Sequence, residues 1–149
     1  MLSIGLGLTE LAPKYTNEVW SFKMSYSHGE LEISIVGNVI TAVFIGSFNY
    51  EGALDYSNRM KSIITSLKEK PFVMIIDNTK LEGGTPEGFE ELEIFNSWLN
   101  QTQLKAKAFI MNSEVNRAII ENRTPSLSLQ KTCFFSNYQE ANEWLETFG

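Results

Sequence analysis

The sequence holds one cysteine and one histidine. A single thiol, Cys133, excludes an intrachain disulfide and fits a reducing compartment, which points to the cytoplasm. A single imidazole, His28, leaves a histidine-based metal centre or a Ser–His relay without a second member. Cations are scarce as well. The 12 Lys and Arg against 18 Asp and Glu give a net charge of −6, which argues against nucleic acid and anionic membrane surfaces as partners. No apolar run approaches the roughly 20 residues of a membrane span. Leu2–Leu8 has no basic residue before it and meets Glu10 soon after, so it makes a poor secretory signal. With no nucleophile–base pair, no metal-ligand spacing and no cofactor loop, the chain is not expected to be an enzyme. No catalytic residue, metal or cofactor is assigned.

What is present is a 43% hydrophobic content over 149 residues, enough for one domain with a real core. Residues 1–23 show no period, with Gly5, Gly7 and Pro13 among scattered polar residues. They are expected to be an N-terminal extension, with the patterned domain spanning 24–149.

The stretch from Pro71 to Leu99 organises the rest. Phe72–Ile76 is five apolar residues in a row, the mark of a strand covered on both faces. Asp77 and Asn78 form its polar end. A glycine-bearing loop follows, and Thr85-Pro86 opens a helix over 86–100. The Thr85 hydroxyl suits the N-cap, and Pro86 the first helical position. Glu87, Glu90 and Glu91 suit the positive end of the helix dipole. Phe89, Leu92, Phe95 and Leu99 recur at helical spacing, with Ile94 and Trp98 widening the stripe.

Elsewhere, Leu31–Ile35 alternates like a strand with one wet face, and Gly37-Asn38 marks a hairpin into Val39–Ile45. Asn49 caps a helix over Tyr50–Lys68 with Ala53, Tyr56 or Ser57, Met60, Ile64 and Leu67 inward. Ala106–Met111 is an inner strand. Ser113 caps a helix over Glu114–Asn122 with Val115, Ala118 and Ile119 inward. Thr132–Phe135 is a last strand. Asn137 caps a final helix with Tyr138, Ala141, Leu145 and Phe148 inward. The order β-β-α-β-α-β-α-β-α predicts an α/β fold: a mixed, mostly parallel five-stranded sheet with one antiparallel edge strand.

Most chemistry-bearing residues have a bland reading. His28 is a solvated turn residue, and Cys133 a buried structural thiol. Gly83-Gly84 lacks the spacing of a phosphate loop, and Glu82 and Glu87 would repel an anion there. Glu87, Glu90, Glu91 and Glu93 form a solvated helix face. Asp77 has two readings that both stand. It lies at the carboxyl end of a parallel strand, where open α/β folds bind ligands, and it can bond backbone N–H groups of its own loop.

The chain resembles the SpoIIAA-like family and, more broadly, the STAS domain of anti-sigma-factor antagonists. The stretches that carry the resemblance are HGEL at 28–31, IIDNT at 75–79, TPEGFEE at 85–91, AKAFIMNS at 106–113, ENRTP at 121–125 and NEWL at 142–145. In phosphoregulated STAS antagonists, a Ser preceded by Asp starts the helix after the central strand. A partner kinase phosphorylates it. Here Thr85 holds the nearest position, making it the candidate phosphoacceptor, but Gly84 precedes it and Pro86 follows. The family is also similar in fold to Sec14-type lipid-binding domains, which implies an apolar ligand cavity between helices and sheet.

Two functions follow. One is a non-catalytic regulatory module that binds a protein partner through Asp77, Asn78, Thr79, Thr85, Ile94 and Trp98. The other is a carrier or sensor of a small apolar ligand or lipid, for which Met60, Met74 and Met111 would line an adaptable pocket. One face of a side-by-side parallel sheet would lack crossover helices. Three covers are available: the segment Leu2–Met24, a second copy of the chain as a homodimer, or helices on both sides.

Overall fold

The computed structural model describes residues 19–26 and 28–149. They form a six-stranded sheet in chain order. The strands are β1 (Val19–Ser25), β2 (Gly29–Val36), β3 (Val39–Phe48), β4 (Phe72–Gly84), β5 (Leu104–Ile110) and β6 (Thr132–Phe135). The helices are α1 (Tyr50–Ser66), α2 (Pro86–Leu99), α3 (Glu114–Arg123) and α4 (Tyr138–Glu146), with a 3₁₀ turn at Pro125–Leu129. β1–β2 and β2–β3 pair antiparallel, and β3 through β6 run parallel.

The mixed, mostly parallel α/β architecture is the one the sequence predicts, with one strand more. Leu31–Ile35 was expected at the edge, but β1 lies outside it. β1 takes in residues 19–23, which had been set apart with the extension. Its own alternation explains why it joins. Trp20, Phe22 and Met24 stand opposite Ile35, Ile33 and Leu31, so they share the face that is buried. The expected covering role of Leu2–Met24 rests, up to residue 18, on positions outside the described residues.

Gly37 sits in the two-residue turn between β2 and β3 at φ +62°, a conformation that side-chain-bearing residues reach only at a cost. β4 is far longer than the expected Phe72–Ile76. Its tail does not leave the sheet as a loop. Ile45, Gly46, Ser47 and Phe48 pair with Lys80, Leu81, Gly83 and Gly84 across two register shifts. The long β3 offers hydrogen-bonding groups along its whole length, so the glycines continue the ladder rather than turn away.

The two faces are filled differently. Leu31, Ile33, Ile35, Ile40, Ala42, Met74, Ile76 and Phe109 lie on a first face, under α1 and α2. Val73, Ile75, Ala106, Ala108 and Ile110 lie on the second face, beneath Ala141 and Leu145 of α4. The three crossover helices thus occupy one side, as right-handed crossovers between sequential neighbours require. α4 follows the last strand, is not a crossover, and folds back over the other side.

Several expectations change in detail: Glu91, expected on a solvated helix face, is 7% exposed, and Tyr138, expected inward, is 40% exposed. α3 buries only Ile120, while Val115 is 69% and Ile119 40% exposed and Ala118 is exposed too. Its inward stripe is Asn116, Arg117, Ile120 and Thr124 instead. The Asn116 amide reaches the Leu81 carbonyl, Arg117 lies 4.3 Å over the Phe134 ring, and Thr124 Oγ1 donates to the Ile120 carbonyl. Cys133 is half-buried rather than buried.

Candidate functional site

The ends of β3 and β4 bring the N-termini of α1 and α2 side by side. Asn49 caps α1 by accepting from Gly52 N at 3.0 Å. Thr85 caps α2 by accepting from Gly88 N at 3.1 Å. Thr85 N donates to the Phe48 carbonyl at 3.0 Å, which ties the two starts together. A cleft of about 240 Å³ opens there, lined by Tyr26, His28, Ser47, Asn49 and Thr85 among others. Tyr26 donates its hydroxyl to Asp55. Burial and that carboxylate hold its pKa above the ordinary tyrosine range. Two capped helix N-termini meet at this cleft, and with them the positive ends of both helix dipoles. Gly88 allows the close approach, since a Cβ there would meet the Phe48 carbonyl oxygen at 3.1 Å.

The residues singled out from the sequence divide among several surfaces. Asp77 and Asn78 are consecutive on a strand and therefore point to opposite faces. Asp77 lies on the second face, 8% exposed. Its Oδ1 accepts from Thr79 N at 3.0 Å and Thr79 Oγ1 at 2.7 Å. Its Oδ2 accepts from Tyr138 Oη at 2.6 Å. The carboxylate thus bonds its own strand, as one of its two readings had it, and also anchors α4. Burial, and then the bond to Asp77, raise the Tyr138 pKa. Thr79 is exposed beside Asp77.

Asn78 turns inward on the first face, while Thr85 is exposed at the cleft. Ile94 projects from α2 and is 59% exposed. Trp98 is half-buried, stacked on Phe95 at 5.9 Å with Lys61 Nζ 5.8 Å above its ring, so it packs toward α1. The structure brings Thr85 and the tail of β4 together at one rim, with Ile94 on the same helix. It does not bring Asp77, Asn78 and Trp98 to that surface.

Beneath α2 lies a feature that sequence reasoning missed. Lys107 of β5 is 2% exposed and donates from Nζ to Asn96 Oδ1 at 2.6 Å. Gln130 Nε2 donates to the Asn96 carbonyl oxygen at 3.2 Å. Burial pulls the Lys107 ammonium down to about 7 from an ordinary 10.5. Lys107 lines a cavity of about 60 Å³ with Tyr56, Asn78, Leu92, Phe95 and Phe109. Burial raises the Tyr56 pKa, so its hydroxyl stays protonated. A pocket that engulfs a drug-sized molecule takes about 300–1,000 Å³. The cavity therefore does not support a lipid carrier of Sec14 type.

The sequence matches no family profile and no curated relative. Solved structures show the same fold. One is an uncharacterised protein of the DUF3478 family with a SpoIIAA-like fold from Shewanella loihica PV-4. It has a TM-score of 0.58 at 16% identity, over 87% of this chain and 95% of that one. Another is an anti-sigma factor antagonist from Mycobacterium paratuberculosis. It has a TM-score of 0.54 at 10% identity, over 91% of this chain and 99% of that one. The chain has a SpoIIAA-like, STAS-like fold.

Proposed function

We propose that this protein is a cytoplasmic, non-catalytic interaction module of STAS type that regulates a protein partner by docking it at the α1–α2 rim. The observation that carries the reading is the match to an anti-sigma factor antagonist over nearly the whole of both chains. The local chemistry agrees with it. Thr85 stands exposed at a helix N-terminus, and Ile94 supplies an exposed apolar side chain on the same helix. Among the described residues, no helix is long and apolar enough to cross a membrane.

Thr85 is the candidate switch. A phosphoryl group there would meet the positive end of the α2 dipole, which favours it, and Glu82 and Glu87, which oppose it. Its hydroxyl already accepts from Gly88 N, so modification would also rearrange the cap.

The test is affinity capture from the protein's own cells with the wild-type chain and with Ile94→Asp and Thr85→Glu variants. Circular dichroism serves as the control for folding. A partner held by the wild type and lost by both folded variants supports the reading. An unchanged set of captured proteins would overturn the assigned surface. Phosphate on Thr85 in native protein, found by mass spectrometry under some growth condition, is the expected sign of the switch. Its consistent absence would count against it.

A further inference from the structure

We infer that Lys107 is a site of reversible condensation with a one-carbon aldehyde, formed inside the cavity beneath α2, where Asn78 Oδ1 accepts the hydroxyl of the adduct. The inference is independent of the docking surface and rests on different residues.

Three observations converge on it. First, Lys107 is 2% exposed, lines the cavity and gives one hydrogen bond, to the neutral Asn96 Oδ1. The ion pairs among the described residues all lie elsewhere. An amine desolvated in this way, with no carboxylate to hold it charged, is the form that condenses with carbonyl compounds. Second, Asn78 lines the same cavity, is 5% exposed, and its Oδ1 accepts no hydrogen bond among the described residues. It lacks a donor, which a hydroxyl supplies. Third, the cavity is small and the rest of its wall largely apolar. About 60 Å³ is the share of roughly two liquid waters, the bulk of one carbon and one oxygen. An uncharged molecule enters such a wall at far less cost than an ion. Gly83 and Gly84 line this cavity and both neighbouring surface clefts, so entry lies at those glycines.

In the step, the Nζ lone pair forms a bond to the carbonyl carbon, and the C=O π pair moves to oxygen. A proton passes from nitrogen to that oxygen and gives a carbinolamine. This adduct keeps one N–H for Asn96 Oδ1 and gains an O–H for Asn78 Oδ1, so both acceptors are served. Loss of the hydroxyl together with the remaining N–H proton releases one water and leaves an imine. Neither oxidant nor reductant takes part, and water reverses the step.

Burial brings the Lys107 amine to about 7, so close to half of it is unprotonated at neutral pH, where an ordinary exposed lysine is almost wholly charged. Around Lys107, α2 presents the neutral Asn96 and β4 presents Met74 and Asn78. β6 presents Thr132, and α3 with the turn after it presents Ile120, Thr124 and Leu127. α1 presents Tyr56, the one other titratable group in the lining, which stays protonated through this range.

The probe is formaldehyde labelled with carbon-13, given to the full chain with cyanoborohydride, which reduces the imine to a stable methylamine. Peptide mapping by mass spectrometry then reads the label lysine by lysine at low conversion. At pH 7, Lys107 is expected to be methylated at least about tenfold faster than the exposed Lys105. The ratio should fall as the pH rises to 9, where ordinary amines gain their neutral form. Benzaldehyde, too large for the cavity, should show no preference for Lys107. Without reductant, carbon-13 NMR should show an adduct signal that is lost in Lys107→Met and weakened about threefold or more in Asn78→Ala. Circular dichroism checks both variants. Lys107→Met should fold, because replacing a buried charge with an apolar side chain of similar volume is tolerated, and the comparison of two lysines in the wild type needs no substitution. Equal rates at Lys107 and Lys105 at pH 7, an equal preference of benzaldehyde for Lys107, or an adduct unchanged in Asn78→Ala would each overturn the inference.

Discussion

Lys107 shows how one residue can couple stability to pH. In the unfolded chain it keeps its proton up to about 10.5; in the folded protein it loses it near 7. Between these values the unfolded state binds more protons, so stability rises with pH, by at most about 1.4 kcal/mol per unit from this group. Below about 7 both states hold the proton and its contribution stops changing. Urea midpoints at pH 7 and 9 should therefore differ in the wild type in favour of pH 9. Lys107→Met should remove most of that difference. At the α2 cap, Thr85→Ala should cost about 1 kcal/mol, read as a lower urea midpoint with an unchanged slope. The sequence made Thr85 and Asp77 legible because each breaks a pattern at an element's end. Lys107 was not legible. Ala106–Met111 reads as an inner strand, and the one lysine inside it carries no signal in the sequence of the Asn96 that meets it across the chain. Burial falls on Lys107 because the first face is covered there, while Lys105 stays exposed.

At the scale of elements, β4 and α3 are opposite cases. Phe72–Ile76 was readable as a covered strand because five apolar residues leave no wet side, and both faces are indeed packed. Phe72→Ala should cost about 3–5 kcal/mol through lost transfer energy and the cavity left behind. A denaturation midpoint equal to the wild type would show the strand is not central. The tail of β4 was unreadable, since glycines pair in a ladder only when a neighbouring strand is long enough to meet them. In α3 the apolar pattern misled. Val115 and Ile119 are apolar but outward, because the inner stripe is held by polar and cation–π contacts that carry no hydrophobic signal. Val115→Ser and Ile119→Ser should each change stability by less than about 0.5 kcal/mol, in contrast to Phe72→Ala on the same assay. A loss of 2 kcal/mol or more from either would mean that α3 packs by its apolar side.

For the whole molecule, the question is what keeps the second face from sticking to another copy. Over β4–β6 the cover is α4, seated by Ala141 at 0% and Leu145 at 4% exposure, with Trp144 against Phe135 at 5.6 Å. Tyr138 fastens its start to Asp77. Toward the other edge the same face changes character. β3 offers Val39, Thr41, Val43 and Ile45, all half-buried, and then β2 offers Glu30, Glu32 and Ser34. Lys23 of β1 lies 4.0 Å from Glu32 on this face, and burying these charged groups against a second copy would strip them of water, which disfavours pairing. A homodimer built on this face therefore loses most of its drive while α4 is seated. Unseating α4 should restore it. Ala141→Asp places an unpaired carboxylate against Val73, Ala106 and Ala108, and a buried unpaired charge is expelled rather than tolerated. The exposed apolar residues would then form a contiguous patch of the kind monomers avoid. In sedimentation velocity over a wide concentration range, Ala141→Asp should sediment as a growing fraction of larger species. Tyr138→Phe, which removes only the bond to Asp77, should associate less or not at all. If Ala141→Asp stays a folded monomer at the highest concentration, α4 is not what keeps this face from self-association.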